Sequence, residues 1–128
     1  MAASSAFVIE DDIVLGGIFA EILEDNGFTT CVLHDGTAAV SQVSEQPPQL
    51  ILLDVHLPHV SGEEILIKLR ADPRLATIHI IVVTADAQRA DTLKQHANHV
   101  LLKPVSLDQL TNALAQLAAP DADSNTDS

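Results

Sequence analysis

Aromatic side chains are nearly absent: the 128 residues include no Trp, no Tyr and only three Phe. With 47% apolar residues, the core has to be built from Leu, Ile, Val and Ala. Basic residues are also scarce, 6 against 18 acidic ones, for a formal net charge of −12. That balance argues against nucleic acid or an anionic membrane surface as a partner and leaves acid available for a cation site. A single cysteine, Cys31, excludes an internal disulfide and fits a reducing compartment. Its place in an apolar strand suggests buried filler rather than a reactive thiol. No apolar run approaches the ~18 residues of a spanning helix, and no basic region precedes an apolar one at the N-terminus. The chain reads as cytoplasmic. Its length fits one domain with a real core.

What is present is organised around Gln49 to Gly62, QLILLDVHLPHVSG. Leu50-Ile51-Leu52-Leu53 is too short for a helix and does not alternate, which suits a strand buried on both faces of a parallel sheet. It stops at Asp54, and a turn region with Pro58 and Gly62 follows. Open parallel sheets gather ligands and chemistry outside the carboxyl ends of their strands, but Asp also caps turns. This stretch alone leaves both readings of Asp54 open.

The rest of the chain repeats the pattern. Residues 1–5 form an expected flexible N-terminus. Ala6 to Ile9 is a short buried strand ending in Glu10-Asp11-Asp12, and Leu15, Ile18, Phe19, Ile22 and Leu23 predict a helix that Asn26-Gly27 stops. Phe28 to Leu33 is a Thr-rich strand near an edge. Asp35 or Thr37 opens a helix over Ala38 to Glu45, which Pro47-Pro48 ends. Ser61 to Glu64 has the capping-box pattern ahead of a helix with Ile65, Leu66 and Leu69 inward. Ile78 to Val83 is the fourth strand and leads to Thr84-Ala85-Asp86. Ala87 to His96 is a short helix with Ala90 and Leu93 inward. Val100 to Leu102 is the fifth strand, ending in Lys103-Pro104. Ser106 to Gln109 repeats the capping box before a helix lined by Leu107, Leu110, Leu114 and Leu117. The acidic tail over residues 119–128 has no apolar period and is expected to be disordered. One domain over residues 6–118 is left.

Five alternations of strand and helix imply an α/β fold, a doubly wound parallel sheet with helices on both faces. The order 2-1-3-4-5 sets the first and third strands side by side, so that Glu10, Asp11 and Asp54 meet at one edge with Thr84 and Lys103. Two carboxylates 4 Å apart at an effective dielectric near 20 repel by about 4 kcal/mol. Such a cluster persists by raising a pKa or binding a cation, and oxygen ligands in an open pocket suit Mg²⁺. A cation, an ammonium and a hydroxyl around one carboxylate make a phosphoryl-transfer site with Asp54 as nucleophile. The bland alternative is a salt-bridged strand-end cluster. It has to explain polar groups ending four different strands on one edge.

Glu10-Asp11, Asp54, Leu57-Pro58, Gly62, Thr84-Ala85 and Lys103-Pro104, in order at strand ends, closely resemble the receiver domain of bacterial two-component response regulators. The resemblance covers residues 6–118 and implies a flavodoxin-like sheet with five helices, as in single-domain, chemotaxis-type receivers. It implies that Asp54 accepts a phosphoryl group from a histidine kinase or phosphotransfer protein, stoichiometrically rather than as a turnover enzyme. It also implies Mg²⁺ bound by Asp11 and Asp54 with the backbone carbonyl of His56, and by Glu10 through water. By the same resemblance Lys103 contacts the phosphoryl oxygens, Thr84 follows them on activation, and His56 and Asp86 tune dephosphorylation. Two departures bear on output: Val100 stands where most relatives carry an aromatic switch residue, and the Thr84 to Lys103 segment is shorter than usual. No DNA-binding module is seen after Leu117, so the expectation is a monomer signalling through a separate, unidentified downstream protein.

Four other readings compete. A haloacid-dehalogenase-like phosphohydrolase also uses a strand-end Asp, a Thr and a Lys, but wants an acid where His56 stands. A transition-metal site would use His56 and His59, while His34, His79, His96 and His99 show no ligand spacing. The chain can also be a receiver segment of a hybrid histidine kinase, or a degenerate receiver serving as a scaffold.

Overall fold

Every strand of this protein is parallel to its neighbours. The computed structural model describes residues 4–127, with side chains described through Leu117. In chain order the elements are β1 (Ser4–Ile9), α1 (Ile13–Asp25), β2 (Phe28–Leu33), α2 (Ala39–Glu45), β3 (Leu50–Asp54), α3 (Gly62–Ala71), β4 (His79–Thr84), α4 (Ala90–Leu93), β5 (His99–Leu102) and α5 (Leu107–Asp127). The sheet order is β2-β1-β3-β4-β5. The expected fold is therefore the observed one, and β1 and β3 lie together with Ile9 opposite Leu53.

Side chains of the central strands alternate between two cores, as the two-residue period of a strand requires. Ile9, Ile51, Leu53, Ile80 and Val82 pack with Val43 of α2 and with Ile65, Leu66 and Leu69 of α3. Val8, Leu50, Leu52, Ile81 and Val83 pack on the other face with Phe19, Ala20 and Leu23 of α1 and with Leu110 and Leu114 of α5. All five residues of β3 are buried, which is why the strand reads as a continuous apolar run rather than an alternating one.

Several expectations shift in detail. In α1 the buried set is Gly16, Phe19, Ala20 and Leu23, while Ile18 is half exposed. The small residues let the helix approach the sheet and turn the packed face by one position. Leu107 opens α5 and projects from the packed stripe, 58% exposed. The helix expected over Ala87 to His96 is a 3₁₀ turn over Ala87–Arg89 followed by a single α-turn, in which only Leu93 is buried. One apolar anchor cannot hold a longer helix to the sheet. Asp35 caps a 3₁₀ turn over Gly36–Ala38 ahead of α2. Cys31 is exposed, because β2 is an edge strand and only part of it is covered.

Differences also occur at the two ends. Ser4 and Ser5 already pair with Phe28 and Thr29, inside the stretch expected to be loose, and Met1 to Ala3 lie outside the described residues. The backbone of α5 continues helically to Asp127, where a disordered acidic tail is the sequence expectation for residues 119–128. Among the described residues no helix is long and apolar enough to cross a membrane.

Candidate functional site at the carboxyl edge of the sheet

Each candidate side chain stands where a strand stops. Glu10 and Asp11 follow β1 directly. The third acid of that run, Asp12, is engaged in the backbone: it accepts from the Leu15 amide at 3.0 Å and caps α1. Asp54 is the last residue of β3, Thr84 the last of β4, and Lys103 follows β5. Gly62 anchors the loop after Asp54. A Cβ at that position would lie 2.2 Å from the Asp54 carbonyl oxygen, so no larger residue fits while its amide donates to the Val55 carbonyl at 2.8 Å. Ser61 then caps α3 by accepting from the Glu64 amide at 3.1 Å.

The side chains converge. Glu10, Asp11 and Asp54 each present a carboxylate oxygen within 4.8 Å of the others, the one such group of three metal donors among the described residues. Glu10 and Asp54 are buried, at 1% and 3% exposure, while Asp11 opens to solvent. Lys103 Nζ lies 3.4 Å from Asp54 Oδ2 and 3.7 Å from Glu10 Oε1. Burial first, and then the neighbouring Asp54, push the Glu10 carboxyl up to about 7; the Asp12 amide and Lys103 pull the other way. Oε1 of Glu10 is buried without a hydrogen-bond partner. An orphaned carboxylate oxygen inside an oxygen-only cluster, with one member open to water, fits a hard divalent cation.

Beside this cluster, Thr84 is fully buried and its Oγ1 accepts from the Asp86 amide at 3.0 Å, a bond that leaves its own proton free. The Lys103 amide donates to the Thr84 carbonyl at 2.9 Å, which ties the ends of β4 and β5 together. The His56 amide donates to Asp54 Oδ1 at 3.2 Å, and its side chain is exposed. His59, with a left-handed φ of 71°, pairs loosely with Asp35 at 3.8 Å, outside the carboxylate group, so the transition-metal reading finds no cluster among the described residues. An apolar groove of about 370 Å³, lined by Leu15, Phe19, Pro104 and Val105, adjoins Lys103. Two contacts went unforeseen: Nδ1 of His34 on the Glu10 carbonyl at 2.9 Å, and the Arg89–Glu63 pair joining the loop after β4 to α3. Neither pair is close in sequence, and no spacing rule signals it.

Comparison with known proteins decides what this constellation belongs to. The family model described as the response regulator receiver domain matches residues 6–115. The chain belongs to the receiver-domain family. It is 36% identical over 87 residues to the polar-differentiation response regulator DivK of Brucella anthropi, covering 68% of this chain and 71% of the relative. It is 34% identical over 106 residues to the DNA-binding response regulator MtrA of Mycolicibacterium paratuberculosis, covering 80% of this chain and 46% of the relative, so it spans about half of that regulator. Among solved structures, the receiver domain of sensor histidine kinase PA1611 from Pseudomonas aeruginosa PAO1 superposes with a TM-score of 0.82 at 26% identity. That match covers 92% of this chain and 99% of the other, and the other was solved with magnesium coordinated in its active-site cleft. A receiver domain from Vibrio parahaemolyticus, at 24% identity and a TM-score of 0.84, shares the fold. This protein is thus a receiver domain of the two-component type, and the phosphohydrolase alternative loses to it. Receiver domains are phosphoacceptors that work with histidine kinases or phosphotransfer proteins.

Proposed function

We propose that Asp54 is the phosphoacceptor and that Glu10, Asp11 and Asp54, with the backbone carbonyl of His56, hold Mg²⁺. The observation that carries this reading is the buried Asp54 carboxylate, one of three acids within 4.8 Å and 3.4 Å from the Lys103 ammonium. Asp54 attacks the phosphorus of a phosphohistidine on a histidine kinase or phosphotransfer protein. An O–P bond forms as the donor's P–N bond breaks, and the imidazole nitrogen leaves with the electron pair. Mg²⁺ held by these residues would supply positive charge to offset the carboxylates and the incoming phosphoryl group. Lys103 stabilises the transferring oxygens, replacing its contact with Asp54 Oδ2 by one to the phosphoryl group. Thr84 donates its free hydroxyl proton to the same oxygens once phosphorylated Asp54 draws it over, and Ala85 is small enough to leave access. Turnover is limited to hydrolysis, in which water attacks the phosphorus, the Asp54 O–P bond breaks and inorganic phosphate leaves, a step tuned by His56 and Asp86. The signal passes from a monomer to a separate protein partner, with neither nucleic acid nor membrane as its direct target.

Incubation with acetyl phosphate and Mg²⁺, followed by intact-mass measurement, should show one added phosphate on the wild type and none on Asp54→Asn. Unchanged labelling of that variant would sink the assignment. Continuous release of phosphate from a phosphate ester, without stoichiometric labelling, would instead favour a hydrolase.

A further inference from the structure

Glu10 is the site carboxylate whose backbone is held on both sides by the end of β2. Its amide donates to the Leu33 carbonyl at 2.9 Å, and its carbonyl accepts from Nδ1 of His34, also at 2.9 Å. A carbonyl oxygen can only accept, so Nδ1 carries the proton in this bond. The ring also stands over α1: a Cβ on Gly16 would lie 3.6 Å from His34 Cε1 and 3.7 Å from the Glu10 Cβ. One side chain therefore spans β1, β2 and α1 beside the two acids that follow β1.

We infer that His34 is a positioning residue of the cation site. The Glu10 carbonyl belongs to the planar peptide unit that joins Glu10 to Asp11. Rotation of that unit would swing the Glu10 and Asp11 carboxylates relative to Asp54. The chain leaves the sheet at this point and enters α1 only at Ile13, with the capping Asp12 between. The His34 bond fixes the plane of the unit from outside the ligand set. A cluster that must meet a small cation at narrow distance tolerance depends on such support.

The inference rests on the Mg²⁺ reading above, and the test separates the two. Mg²⁺ is titrated calorimetrically into the wild type, His34→Ala, His34→Asn and His34→Gln, and each apo form is melted. The Asn carboxamide nitrogen reaches about where Nδ1 stands and can still donate, whereas the longer Gln overshoots. His34→Ala and His34→Gln should bind Mg²⁺ about three- to tenfold more weakly, the range that one such hydrogen bond spans. His34→Asn should recover most of that loss. A purely structural histidine would lower the melting temperature and leave the affinity of the folded protein unchanged. Wild-type affinity in His34→Ala, or no recovery in His34→Asn, overturns the role of His34 alone. A wild type that binds no Mg²⁺ overturns the cation site and this inference together.

Discussion

The two edges of the sheet each bury a polar atom that finds no hydrogen-bond partner: Glu10 Oε1 at the carboxyl edge and His79 Nε2 at the amino edge. The surroundings differ. At the carboxyl edge, acids crowd together with one ammonium among them. At the amino edge, His79 sits 5.2 Å from the ring of His99, and burial first, then His99 and Arg70, hold it down at about 4, so that it stays neutral. The nearby cation is fully engaged. Arg70 donates to the carbonyls of His96, Ala76 and Ile78 and to Asn98 Oδ1, and that same Asn98 oxygen accepts from the Ile80 amide. One edge crowds three acids around a single ammonium and opens to water at Asp11, which suits a site awaiting a ligand. The other removes charge or saturates it, which suits a brace.

Mutation should separate the two. Arg70→Ala strips four acceptors at the amino edge, and urea unfolding should register a loss of about 2–3 kcal/mol, while the Mg²⁺ affinity of the folded protein stays that of the wild type. A loss of cation binding there would mean that the edges are coupled. Asp11→Ala should do the reverse. Its Mg²⁺ affinity should fall more than about tenfold, with the apo protein as stable as the wild type or more so, because a like charge has gone. Equal affinities would place the cation elsewhere.

Acidity supplies a finer contrast. Glu10 titrates near 7 in the fold against 4.5 when unfolded, so the folded state binds this proton more tightly. Its contribution to stability is complete below pH 4.5 and is lost as pH rises through about 7. His79 moves the other way, from 6.5 to about 4; its contribution is present above pH 6.5 and is lost as pH falls through about 4. In metal-free buffer, Glu10→Gln should flatten the decline in stability between about pH 5 and pH 8, and His79→Asn should flatten the decline below about pH 6. A Glu10→Gln profile parallel to the wild type would contradict the raised pKa.

The smallest expected effect lies between the edges. Val100 packs against the α3 core and has no ring to swing when Thr84 moves. Beryllofluoride should therefore shift amide signals mainly in the loops after Asp54 and Thr84, and sedimentation should show a monomer with and without it. Large shifts centred on Val100 and α5, or dimers, would give output a route through the sheet.

The arrangement of the carboxyl edge was legible because each member ends an apolar strand and the order of elements leaves little choice of topology. Glu10, Asp11, Asp54 and Lys103 come together as their positions implied, and Thr84 ends the neighbouring strand on the same edge. The amino edge was not legible. Arg70 sits on α3 amid ordinary helix residues, and its partners lie in the loops ahead of β4 and β5, 6 to 28 positions away.

Local pattern alone therefore determined the alternation of strands and helices, the two-sided burial of β3 and the residues that stand at strand ends. These follow from side-chain periodicity and short-range capping, which act over a few residues. Tertiary structure decided the face on which α1 packs, the reduction of the fourth helix to one turn and the exposure of Cys31 on an edge strand. It also decided that Asp12 caps α1 while Glu10 and Asp11 join Asp54 in one carboxylate group, that Glu10 loses its solvent and gains a raised pKa, and that His34 reaches its carbonyl from 24 residues away. Those outcomes depend on how closely distant segments approach and on how much water they exclude, and no period in the sequence records either.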